Sequence, residues 1–135
     1  MLSDLRTFLL ADTAIADVVG TRVFEHVLPQ GTPVPSIRIW IVDGQSQEHL
    51  EGGSGLAMDR VQVDCYASTP PAADSLSTLV RLRLQGHIGA MADTYVDGIV
   101  HLAGPRHGQD QPTKGSDQWR FITSRDFEIA HQEAT

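Results

Sequence analysis

Six histidines, one cysteine and a glycine-rich serine segment are the residues of this sequence most able to do chemistry. His26, His49, His87, His101, His107 and His131 are dispersed, without the HxxxH or HExxH spacing that sets two imidazoles on one helix face. Glu48-His49 and His107-Gly108-Gln109-Asp110 are close acid–histidine neighbours, and both fall in segments that read as loops. Acid–base catalysis needs groups held rigidly at hydrogen-bond distance, which such loops do not supply unaided. Gly52-Gly53-Ser54-Gly55 lacks both the lysine of a phosphate loop and the spacing of a GxSxG nucleophile turn. Cys65, alone, can form neither an internal disulfide nor a cysteine-based zinc site, and its apolar strand row makes it a small core residue. The expectation is a protein with no catalytic residue, metal or cofactor.

The two loops carry the more informative signal. Residues 43–57 contain four glycines around Gln45-Ser46-Gln47-Glu48-His49-Leu50-Glu51, and residues 103–114 read Ala-Gly-Pro-Arg-His-Gly-Gln-Asp-Gln-Pro-Thr-Lys. Unstructured loops beyond about 12–15 residues are uncommon in compact domains and usually serve binding or are disordered. The first loop reads equally as a long hairpin arm turning at Gly52-Gly53. Polar on both faces, such an arm needs another subunit to hold it. Gln45, Gln47, Glu48, His49 and Glu51 on the first segment are therefore candidate partner contacts, as are Arg106, His107 and Lys114 on the second.

The elements that must position these loops follow from periodicity. Residues 3–11 form a short helix with Ser3 as N-cap, and Asp12 caps a second that Gly20 stops. Arg22-Val23-Phe24 is strand-like, and three prolines between Pro29 and Pro35 make a fixed, extended connector. Residues 36–42 alternate with Ile37, Ile39 and Ile41 on one side. Residues 60–67 bury Val61, Val63, Cys65 and Ala67 and turn Arg60, Gln62, Asp64 and Tyr66 outward. Ser68 or Thr69 caps the main helix, whose stripe is Ala72, Leu76, Leu79, Val80, Leu84 and Ile88, ending within 85–90. Strands over 95–102 and 117–131 complete the chain. In the last, Trp119, Phe121, Phe127 and Ile129 share a row with Thr123 and Arg125. Arg125 there reads as an edge strand or a bend, or as an intermolecular contact. The class is α+β, with an antiparallel or mixed sheet packed on one main helix and short N-terminal helices.

A chain of 135 residues suits one domain with a single core. Lys+Arg 10 against Asp+Glu 17 leaves a formal charge of −7, which argues against sequence-general nucleic-acid binding through phosphates. The longest apolar run falls far short of the ~20 residues of a membrane span, and the N-terminus lacks a signal-peptide pattern, so a soluble protein retained in the cell is expected.

Taken in order, four segments resemble the tail-completion proteins (tail terminators, or head–tail joining proteins) of long-tailed double-stranded DNA phages and gene transfer agents. They are the helix pair ending in Ala16-Asp17-Val18-Val19-Gly20-Thr21-Arg22-Val23-Phe24, then Pro33-Val34-Pro35 leading into a strand. Arg60-Val61-Gln62-Val63-Asp64-Cys65-Tyr66-Ala67 follows, running into the helix to Leu84 and Gly86, and the last is Trp119-Arg120-Phe121 through Asp126-Phe127-Glu128-Ile129. Ser36 and Cys65 depart from the usual residue types without disturbing the pattern. The resemblance implies a non-catalytic subunit that assembles, commonly as a hexameric ring, caps the tail tube and meets the head-side connector. It places the protein in the virion neck, with the host cytoplasm as the place of assembly. DNA would pass through the lumen without specific binding, and acidic groups lining that bore would repel it. The rival readings are an adaptor or stopper of the same neck, or a small α+β enzyme or ligand-binding domain using the loop histidines.

Overall fold

The computed structural model describes residues 1–49, 52–111 and 118–132, with the backbone alone described at 45–49 and 52–55. The elements run α1 (Leu2–Leu10), α2 (Thr13–Val19), β1 (Val23–Glu25), β2 (Ser36–His49), β3 (Gly52–Ala67), α3 (Pro70–Leu84), β4 (Gly89–Met91), β5 (Thr94–Asp110) and β6 (Arg120–Gln132). The six strands form one sheet in the order β1-β2-β3-β6-β5-β4, with β1 parallel to β2 and the other pairs antiparallel. The expected α+β class with a mixed sheet is what the chain adopts.

Local chemistry explains most element ends. The Asp12 carboxylate accepts the Ala14 N–H at 2.9 Å, and Gly20 leaves α2 at φ +64°, a conformation costly for any residue with a Cβ. Thr69 Oγ1 accepts from Ala72 N, and Pro70 stands at the first helical position, where its missing N–H costs nothing. α1 differs from expectation: it begins one residue earlier, Met1 is its N-cap, and Ser3 lies inside the helix. Ser3 instead gives its carbonyl to the Thr7 hydroxyl.

The core fills one face of the sheet. Ile37 and Ile39 of β2, Val61, Val63 and Cys65 of β3, and Phe127 and Ile129 of β6 meet Leu5, Leu9, Ile15 and Val19 of the N-terminal helices. Leu76, Val80 and Leu84 of α3 close the cluster. The buried row of α3 is Ala73, Leu76, Ser77, Val80 and Leu84; Ala72 faces out, and Ile88 lies beyond the helix end and is exposed. Cys65 is fully buried, and burial pushes its thiol well above the ordinary thiol range, so it is inert packing. Arg83 ties α3 to α1 by donating twice to the Phe8 carbonyl, with its guanidinium 3.7 Å above the Phe8 ring centroid. No described helix is long and apolar enough to cross a membrane.

Three expectations are corrected. Residues 103–110 are not a loop but the second half of β5, paired with β6 from Arg106↔Ser124 to Asp110↔Arg120. Gly104-Pro105 looks like a loop in sequence because it sits in a bulge. Gly104 adopts φ +107°, and a Cβ there would lie 2.6 Å from the Ser124 carbonyl oxygen, so only glycine fits. Residues 43–49 likewise continue β2, which confirms the hairpin reading of the first segment. His49↔Gly52 is the last pair among the described residues, so Gly52 and Gly53 belong to β3 and are not the turn. The third correction concerns Arg125. Its strand β6 is flanked by β3 on one side and β5 on the other, so the residue is not on an edge strand, and it lies opposite the Ala103/Arg106 irregularity of β5.

Candidate assembly interface

The first candidate region is the ribbon formed where β2 and β3 outrun the sheet. β6 accompanies β3 as far as the Leu56↔Gln132 pair. Beyond it, among the described residues, the ribbon continues as two strands through Glu48↔Gly53 and His49↔Gly52, with a register shift after the Gln47↔Leu56 pair. Of the candidates, Glu48 and His49 lie on this arm, while Gln45 and Gln47 lie at its base, opposite Met58 and Leu56, which still pair with β6. Glu51 is outside the described residues.

The base of the arm is fixed by a close approach. β2 has a register shift between Ile41 and Asp43, and Gly44 then pairs with Asp59. The Asp59 carboxylate lies where a Gly44 side chain would start: an ideal Cβ would be 2.5 Å from Oδ1. Asp59 has little freedom to withdraw, because its Oδ2 is 2.7 Å from His131 Nε2, and both side chains are largely buried. Gly44→Ala is therefore expected to break the Asp59–His131 contact, lowering stability by about 1–2 kcal/mol and Tm by about 4–8 °C. Thermal unfolding of the variant measures this; an unchanged Tm would show that Asp59 moves aside freely.

The second region is the sheet face that bears no helix. Strand alternation puts Arg38 and Trp40 of β2, Arg60, Gln62, Asp64 and Tyr66 of β3, Ser124 and Asp126 of β6 and Arg106 of β5 on this face. The expected outward direction of the β3 residues holds, but Asp64 and Tyr66 are buried. Asp64 accepts from Ser124 Oγ at 2.6 Å, Gln62 Nε2 at 2.7 Å and Trp40 Nε1 at 3.1 Å. Asp126 is bridged by two arginines: Arg60 donates to Oδ2 through Nε (3.0 Å) and Nη2 (2.6 Å), and Arg106 Nη2 donates to Oδ1 (2.6 Å). Burial pushes the Asp126 carboxyl up, yet the hydrogen bonds from Arg106 and Arg60 outweigh it and hold it below the ordinary carboxylate range. Arg120, bidentate to Asp110 at 2.8 and 2.7 Å, stacks on Tyr66.

The remaining sequence candidates are dispersed. His107, next to Arg106 and so on the opposite face, places Nε2 2.8 Å from Asp74 Oδ1 on α3, and the Thr123 hydroxyl donates to the same oxygen. The Thr123 bond chiefly, opposed by partial desolvation and joined by His107, lowers the Asp74 carboxyl. Beside them lies a hollow of about 350 Å³ lined by Pro70, His107, Gly108, Gln109, Phe121, Ile122 and Thr123. Arg125 points into the molecule, 8 % exposed, donating to Ser77 Oγ at 2.7 Å with its Nη1 3.3 Å from His101 Nε2. It braces β6 against α3. Lys114 lies outside the described residues. Sequence reasoning missed Asp64, Asp126 and the arginines that cover them, although Arg60-Gln62-Asp64-Tyr66 was visible as one polar row. Among the described residues, no three His, Cys, Asp or Glu side chains gather as a metal site.

Among the described residues, the sheet ends in a two-stranded arm and carries a polar, arginine-rich face without a helix, the features of a subunit surface suited to contact with another chain. The sequence matches the family described as Tail completion protein gp17 over residues 3–120, and the chain belongs to that family. It is thus a structural protein of the phage tail. Its fold is similar to a chain in the virion of a native gene transfer agent (GTA) particle, with a TM-score of 0.61 at 18 % identity, over 93 % of this chain and 90 % of that one. No curated protein matches the sequence.

Proposed function

We propose that this chain assembles as a hexameric ring that ends the tail tube and joins the tail to the head-side connector, without a catalytic step. The observation that carries this reading is the arm, a two-stranded ribbon that leaves the sheet of its own subunit. A ribbon of this length has few side chains of its own to bury, so contact with another chain is what would stabilise it. Membership of the tail completion family supports the same reading. The proposed contacts to neighbouring subunits, tail tube or connector are Gln45, Gln47, Glu48, His49 and Glu51 of the first segment, with Arg106 and His107 of β5 and, in the sequence beyond it, Lys114. Arg125 drops out of this set, because its guanidinium serves the interior of its own subunit.

The net charge of −7 supports a bore through which DNA passes without being held. The ring would reside in the neck of the virion after assembly in the host cytoplasm. Native mass spectrometry of the protein released from purified particles is expected to give a hexamer-sized species. Cryo-electron microscopy of those particles should place it between tube and connector. Density on the head side of the connector would make the chain an adaptor or stopper instead and overturn the terminator role.

A further inference from the structure

The helix-free face of the sheet has the make-up of a contact surface. Trp40 and Tyr66 are each covered by an arginine, Arg38 at 4.7 Å and Arg120 at 4.9 Å from the ring centroids. Tryptophan, tyrosine and arginine are the residues most concentrated at interface hot spots. Charge is layered across this face. The Asp126 side chain is 4 % exposed, while Arg60 and Arg106 above it keep 44 % and 47 % of theirs. Asp64 is 5 % exposed under Arg38 at 31 %. An approaching partner meets guanidinium groups, with the neutralising carboxylates beneath them.

The arm has the opposite character. Beyond the end of β6, residues 48–55 contain Glu48 and Glu51 and no lysine or arginine. We infer that the arginine face of one copy receives the acidic arm of a second copy. This rests on the reading that copies of the chain assemble in the tail. Within one chain the contact cannot form: Glu48 lies ten residues beyond Arg38 on the same continuous strand, about 30 Å away along it. The arm runs off the end of the sheet and not across its face. A neighbour's arm can lie across that face, and its carboxylates would then cover the guanidinium groups, which would otherwise attract the passing DNA.

Arg38→Cys and Glu48→Cys in the same chain test the contact, because any disulfide between these positions must join two copies. Particles assembled from the double variant are expected to yield a ladder of linked species on a non-reducing gel, absent from either single variant. Buried Cys65 does not interfere. A charge exchange gives an independent reading: Glu48→Arg alone should lower the yield of joined particles about tenfold or more, and adding Arg38→Glu should restore it to within about threefold. A double-cysteine protein that enters particles without forming the ladder overturns the inference. If that variant does not enter particles, the exchange decides: restored yield supports the docking and unrestored yield overturns it. A hexamer in the particle without the ladder leaves the ring reading standing and removes only this contact; no oligomer in the particle removes both.

Discussion

Replacing residues 47–56 with Asn-Gly, between the paired Ser46 and Ala57, is expected to leave a folded subunit that no longer joins tails to heads. The cut preserves everything that anchors the ribbon. Ser46 faces Ala57 across a regular antiparallel register, which a two-residue Asn-Gly turn can close. Gly44, Asp59 and His131 remain, as does the whole core cluster, none of whose members lies between 47 and 56. Thermal unfolding should therefore change by no more than about 1 kcal/mol, the scale of a surface alteration away from packed groups. Assembly responds differently. In a closed ring each subunit contributes the same contact, so the loss repeats around the circle, and the yield of joined particles should fall about 100-fold or more. Counting joined particles against free heads and tails by electron microscopy measures this. Normal joining by a folded, arm-less protein would refute the role given to the arm.

Asp126→Asn is expected to have the largest effect on the subunit itself. The carboxylate is buried and accepts three hydrogen bonds from Arg60 and Arg106. An amide keeps the size but offers one oxygen and presents an N–H₂ group to the second guanidinium. Removing one partner of a fully buried pair costs about 3–5 kcal/mol; here both arginines reach water, so about 2–3 kcal/mol is expected, or a Tm lower by about 10 °C. The pH dependence has a definite sign. Because the folded carboxyl titrates below its ordinary range, its contribution is complete above that range and disappears as pH falls through the folded value. The gap in stability between native protein and variant should therefore be widest near neutrality and narrow on acidification below about pH 4. A gap independent of pH would show that the destabilisation comes from packing and not from charge.

How far the sequence disclosed this arrangement depends on the range of the interactions involved. The caps at Asp12 and Thr69, the stop at Gly20 and the alternation over Val61, Val63 and Cys65 depend on residues a few positions apart, and they are as expected. Gly104-Pro105 misled because local chemistry names a breaker while the strand on the far side, at Ser124, keeps the pairing going around it. Arg125 in an apolar row was an oddity until Ser77 on α3, 48 residues earlier, supplied its acceptor. Asp126 was one more polar residue on a strand. Nothing near it in sequence shows that Arg60, 66 residues away, and Arg106 close over it.

The sequence by itself determined the class of fold, the family and the acidic, glycine-rich character of residues 43–57, since periodicity, caps and composition are properties of short stretches of chain. Only the tertiary structure decided that β2 and β3 continue through this segment and outrun β6, that β6 is central and not an edge, and that four arginines cover one face of the sheet. Strand order and register arise from pairings between distant segments, and a one-residue slip would exchange the two faces of a strand. That register puts Asp64 and Asp126 under the arginines and leaves Cys65 and Arg125 among the helices.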